Sequence, residues 1–266
     1  MKKIILLFLL LFISSCSNET KEFNKDIKYI NLEGDLKDKN LEASGLSWYK
    51  DNLIVLPQFP HKWDSQFDGA LYYIPKARIE DYLTGVNTNP IKGEKLHFIA
   101  TGLDDIGKMR GSGYEAITFV DDTVFVSIEA LNGLNSASYV VRGIIDFENK
   151  IVKLDATTKY RIESQTNINN MGEETIFEYK NNIYAVHEAN GVNVNESPYV
   201  TKLSTKLNDA QKIKMQNIDY RITDASQVDS AGKFFAINYY YPGEYKKLKP
   251  MINDEQKDFA IEEIIE

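Results

Sequence analysis

The chain has 266 residues, a formal net charge of −8, 43% apolar residues and a single cysteine. An acid excess of this size argues against nucleic acid as a partner, because phosphate contacts need clustered Lys and Arg. One cysteine rules out a disulfide within the chain.

The N-terminal residues read as an export signal. Lys2 and Lys3 precede an unbroken apolar run, Ile4 to Ile13, too short to span a bilayer as a helix. Small residues Ser14 and Ser15 then lead to Cys16. The Ile13-Ser14-Ser15-Cys16 tetrapeptide resembles a bacterial lipobox, which implies cleavage before Cys16 and lipid attachment there. The expected organisation is a signal over residues 1–15, a lipidated cysteine and polar tether over 16–26, and one domain over 27–266. The expected address is the bacterial cell envelope, with the bilayer reached through Cys16 alone.

Beyond the tether the sequence predicts strands. Short runs rich in Val, Ile, Tyr, Phe and Thr alternate with turn residues such as Lys50-Asp51-Asn52, Asp121-Asp122 and Lys180-Asn181-Asn182. Only Lys76–Leu83 suggests a helix. Tyr29–Leu32 forms a leading strand, expected to complete the last group and cover its edge. The remaining strands fall into fours. The first group is Ser44–Trp48, Leu53–Pro57, Ala70–Ile74 and Leu96–Ala100. The second is Ala116–Val120, Val124–Ile128, Ser138–Ile145 and Ile151–Leu154. The third is Thr175–Tyr179, Ile183–His187, Tyr199–Leu203 and Lys212–Met215. The fourth begins with Ala225–Val228 and Phe234–Tyr239 and continues to Phe259–Ile265.

Each group opens in the same way. Glu42, Glu115, Glu173 and Asp224 start the first strands, and Gln58, Glu129, Glu188 and Asn238 end the second ones. The paired marks stand 16, 14, 15 and 14 residues apart. A two-strand unit recurring with fixed polar marks predicts a repeat architecture, here an all-β propeller of four-stranded blades. Four blades are visible, either as a compact ring or as part of one with five or six. A β-sandwich is the alternative, but it leaves the regular marks unexplained.

In an antiparallel hairpin the start of one strand meets the end of the next, so all eight marks are expected at one mouth of a central channel. Six of them are carboxylates. Their mutual repulsion calls for raised pKa values or a neutralising cation, and oxygen donors of this kind suit Ca²⁺ or Mg²⁺. Arg110, on a glycine-containing loop, and Arg221 lie close to the marks in sequence. His187 is expected to pack on the face opposite Glu188. The chain carries no P-loop, Gly-x-Ser-x-Gly elbow, His-Glu-x-x-His or zinc-type cysteine pattern.

The passages Glu42-Ala43-Ser44-Gly45-Leu46, Gly113-Tyr114-Glu115-Ala116-Ile117 and Ile222-Thr223-Asp224-Ala225-Ser226 resemble blade starts of the bacterial "esterase-like activity of phytase" propellers, over most of residues 40–245. That resemblance implies an exported propeller with phosphoesterase activity. Related lactonase-type propellers hold one divalent ion with Glu, Asn and Asp, and Glu42, Glu115, Glu173, Asp224 and Asn238 supply the same side-chain types. Two functions compete. In a metal-assisted hydrolase of esters, lactones or phosphoesters, the ion would polarise the substrate oxygen, Glu129 or Glu188 would take the proton, and Arg110 and Arg221 would hold an anionic group. In a non-catalytic scaffold the same mouth would capture a small ligand or an envelope protein.

Overall fold

A computed structural model describes residues 28–107, 112–132 and 135–251. Cys16, Arg110 and the Phe259–Ile265 segment lie outside the described residues. The chain is all-β with few, short helices.

The strands in chain order are β1 Leu32–Glu33, β2 Ala43–Tyr49, β3 Asn52–Pro57 and β4 Gly69–Pro75; helix α1 (Lys76–Thr84) follows. Then come β5 Ile91–Lys92, β6 Glu94–Ile99, the one-turn α2 Asp104–Gly107, β7 Gly113–Val120, β8 Thr123–Asn132, β9 Asn135–Asp146, β10 Ile151–Leu154 and β11 Tyr160–Glu163. The last are β12 Thr175–Tyr179, β13 Asn182–Val186, β14 Tyr199–Ser204, β15 Ala210–Lys214, β16 Arg221–Ala225, β17 Ala236–Tyr239 and the one-turn α3 Tyr245–Leu248. Among the described residues no helix is long and apolar enough to cross a membrane.

Three antiparallel four-strand units follow one another: β2-β3-β4-β6, β7-β8-β9-β10 and β12-β13-β14-β15. They match the first three groups read from the sequence. The parallel pairing of β6 with β10 merges the first two units into a nine-stranded sheet, with β11 added to β9. The fourth unit is the hairpin β16-β17. The first strands form a cycle of neighbours: β2 packs against β7, β7 against β12, β12 against β16, and β16 against β2.

Apolar cores fill the gaps between consecutive units. Ile54, Leu71 and Phe98 of the first unit meet Tyr114, Val126 and Val152 of the second. Phe125 and Val140 meet Ile176, Ile183 and Leu203 of the third. Phe177, Tyr184 and Val200 meet Ile222, with Phe234 packed beside them. This explains why strands such as Ile54-Val55-Leu56 are buried on both faces and read as continuous apolar runs.

The far face of the first unit is covered differently from the sequence expectation. Val55, Tyr72, Ile74 and Ile91 are capped by Leu36, Leu41, Leu32 and Ile79. The leading strand β1 therefore pairs in parallel with β5 of the first group, and not with the fourth. The reason is apolar burial: Leu32, Leu36 and Leu41 find their partners on Tyr72 and Ile91. Helix α1 begins at Lys76 as expected and stops at Gly85, whose φ of 80° is the left-handed turn glycine tolerates.

Candidate functional site

All four hairpins carry an irregularity at the same place. In β2, Ala43 faces Pro57 and Gly45 faces Leu56, which leaves Ser44 as an extra residue. In β7 the extra residue is Glu115, and in β16 it is Thr223. In the third unit Glu188 N–H donates to the Gly172 carbonyl while Thr175 faces Val186, so Glu173 and Glu174 together oppose His187. A two-against-one arrangement is a β-bulge, which turns a side chain towards a face it would otherwise miss.

The bulges reset which residues are equivalent. Gln58 N–H donates to the Glu42 carbonyl, Glu129 faces Gly113, Glu188 meets Gly172, and Tyr239 faces Arg221. The fourth hairpin thus presents Tyr239 and Arg221 where the sequence marks point to Asn238 and Asp224. Asn238 sits one residue off, opposite Ile222, and its amide donates to the Asp219 carbonyl at 3.0 Å.

Buried Glu115, Glu129 and Glu188 and half-buried Glu174 form one electrostatically interacting group with Arg221. Gln58 Nε2 donates to Glu115 Oε1 at 3.2 Å. Arg221 Nε donates to Glu188 Oε2 and Nη2 to Glu174 Oε1, while Nη1 reaches Glu244 Oε2 at 3.3 Å. Its guanidinium lies 5.7 Å from the Tyr239 ring centroid. Glu188 Oε1 accepts from Gly172 N–H at 3.0 Å. Glu129 is bonded to Ser136, whose hydroxyl also accepts from Asn170 N–H. Hydrogen bonds thus join Gln58 to Glu115, and Arg221 to Glu174 and Glu188, while Glu115 and Glu174 feel each other only as like charges.

Burial dominates the acid–base behaviour. Desolvation, then the charge of Glu174, pushes Glu115 up to about 8. Desolvation pushes Glu129 up to about 7, against the Ser136 hydrogen bond that favours its anion. Glu174 and Glu188 are raised by the same burial, with Arg221 opposing. Burial disfavours the Arg221 cation, but Glu188, Glu174 and Glu244 outweigh it and keep the guanidinium charged.

The other marks engage elsewhere. Glu42 is exposed, in the left-handed region with φ 48°. The Asp224 carboxylate accepts from the N–H groups of Ala225 and Leu46, and desolvation raises it to about 6. Glu173 and His187 are fully buried side by side. Of the set Glu42, Glu115, Glu173, Asp224 and Asn238, only Glu115 belongs to the Arg221 group. Among the described residues no three His, Cys, Asp or Glu side chains are arranged to hold a metal ion. Glu174 and Glu244 belong to the group but carry no mark in the sequence reading. Glu174 adjoins a marked residue and is hidden by the bulge, whereas Glu244 lies beyond β17 with no periodic signal.

No family model matches the chain, and no curated protein matches it. Among solved structures it aligns with the β-propeller domain of Nup133 from Vanderwaltozyma polyspora at 13% identity and a TM-score of 0.38, covering 73% of this chain and 52% of that one. The chain thus spans about half the length of that domain, and a likeness this distant carries no weight for fold or function.

Proposed function

We propose that this chain is an exported β-propeller, lipid-anchored through Cys16 at the bacterial envelope, that serves as a non-catalytic scaffold for a ligand or protein partner. The cycle of first strands and the repeated bulge support radial blades around an axis, with four in the described part. The observation that carries the scaffold reading is Arg221. Its Nε, Nη1 and Nη2 are all committed to Glu188, Glu244 and Glu174, so it pins the units together and is poorly placed to clamp a substrate anion.

One observation favours the hydrolase reading. Glu129 keeps a buried carboxylate oxygen without a hydrogen-bond partner and is held near neutrality, as a general acid or base requires. The resemblance to esterase-like phytase propellers points the same way. In that reading Glu129 exchanges a proton with the substrate and Ser136 fixes its orientation.

The two readings separate in a turnover assay of the purified full chain on aryl esters, lactones and phosphomonoesters, each with and without Ca²⁺. The scaffold reading expects no turnover above the Glu129→Gln variant. Turnover that falls at least ~100-fold in Glu129→Gln, with folding intact, overturns it in favour of the hydrolase. Fatty-acid labelling of the expressed chain, abolished by Cys16→Ala, checks the anchor.

A further inference from the structure

Beside the Arg221 group lies a second set of buried polar atoms that makes no hydrogen bond, although Glu173 and His187 stand within ion-pair distance of each other. Both carboxylate oxygens of Glu173, the Nδ1 of His187 and the Oδ1 of Asn190 are buried without a hydrogen bond. The side chains of Glu173 and His187 are both 0% exposed. Buried polar atoms without a hydrogen bond are rare, and three of these sit on the paired side chains of Glu173 and His187.

The spacing identifies the ligand's chemistry. His187 Nδ1 and Glu173 Oε1 are 3.5 Å apart. That is too wide for a good N–H···O hydrogen bond, which spans about 2.7–3.2 Å. Two donors each ~2.1 Å from a shared ion stand about 3.0–3.4 Å apart for octahedral or tetrahedral angles, close to the observed gap. The far nitrogen of the ring, His187 Nε2, lies 3.4 Å from Thr166 Oγ1. The Asn190 amide donates to the His187 carbonyl, and its own oxygen is buried without a hydrogen bond. Glu173 N–H is bound to Ser138 Oγ at 2.8 Å, which holds the backbone while leaving the carboxylate free.

We propose that Glu173 and His187 hold a first-row divalent metal ion between them, with Asn190 Oδ1 and solvent available to complete its shell. One imidazole nitrogen with carboxylate oxygen selects a transition metal such as Mn²⁺ or Zn²⁺ over Ca²⁺. Only two of the donors are His or Glu, so this is a different site from the five-residue oxygen set read from the sequence. Glu129 is coupled electrostatically to both residues, so an ion here would also draw that carboxyl towards its anion.

The test is Mn²⁺ binding to the full chain in detergent, followed by pulsed electron paramagnetic resonance. The expected result is one ion per chain, an imidazole nitrogen coupling in the spectrum, and a melting temperature raised by about 5 °C at saturation. Glu173→Gln and His187→Asn should each weaken binding at least ~10-fold, while Glu42→Gln leaves it unchanged. Failure of the chain to bind Mn²⁺ or Zn²⁺ would overturn the proposal and leave buried water as the occupant. So would bound Mn²⁺ with no nitrogen coupling, or affinity unchanged in both variants. Because the spectrum is taken on the wild-type chain, the result stands even if a variant fails to fold. The scaffold reading is independent of either outcome, since it rests on Arg221.

Discussion

At the residue scale the buried carboxyls of the Arg221 group set a pH dependence whose sign follows from burial. Glu129 and Glu115 are held at about 7 and about 8, above their ordinary 4.5. Between those limits the folded chain binds more protons than the unfolded one, so stability falls as pH rises. The two groups contribute fully below about pH 4.5, and their contribution is lost as pH climbs through 7 and 8. Urea denaturation from pH 5 to 9 should show this decline. Glu129→Gln, which imitates the protonated form, should flatten the slope between pH 5 and 7. A stability that rises over this range would mean the carboxyls ionise with a compensating cation in place.

At the element scale, the bulge separates what the sequence reveals from what it hides. Strand existence was legible because each unit is built from β-branched and aromatic runs cut by turn residues. The four-strand grouping followed for β2 to β15, and α1 was readable from its spacing. Register was not legible. One extra residue leaves the hydrophobic pattern almost unchanged but shifts which side chain joins the Arg221 group. So Glu173 was marked where Glu174 joins the Arg221 group, and Asn238 where Tyr239 stands. The pairing of β1 with β5 was hidden for another reason, since it depends on Leu36 and Leu41 covering Tyr72 across a long separation in sequence. The close approach of first strands is testable at Gly45. A Cβ there would lie 3.0 Å from the Ala116 Cα, on backbone that cannot swing aside. Gly45→Val should therefore cost about 1–3 kcal/mol by forcing β2 away from β7. Thermal unfolding would measure it, and a neutral substitution would show that the two strands are free to separate.

For the whole molecule, the weak link is the junction between the fourth hairpin and the first unit. Successive units share apolar cores at the first three junctions, whereas here the described contacts are largely polar. Gln227 Nε2 donates to the Trp48 carbonyl at 3.2 Å, and Asp224 accepts from Leu46 N–H. Large apolar side chains nearby, Leu46 at 44% and Ile237 at 55%, remain exposed. A hydrogen bond to a carboxylate contributes about 1.5–3 kcal/mol, and of the two that Asp224 accepts only the one from Leu46 crosses this junction. Asp224→Ala removes the acceptor for both Leu46 and Ala225 without touching the Arg221 group. The expected result is faster amide exchange at Leu46 with little change at Ile176 or Val200, because the third unit keeps its core on both sides. If exchange instead accelerates uniformly, the chain opens as one cooperative body and the junction is no weaker than the rest.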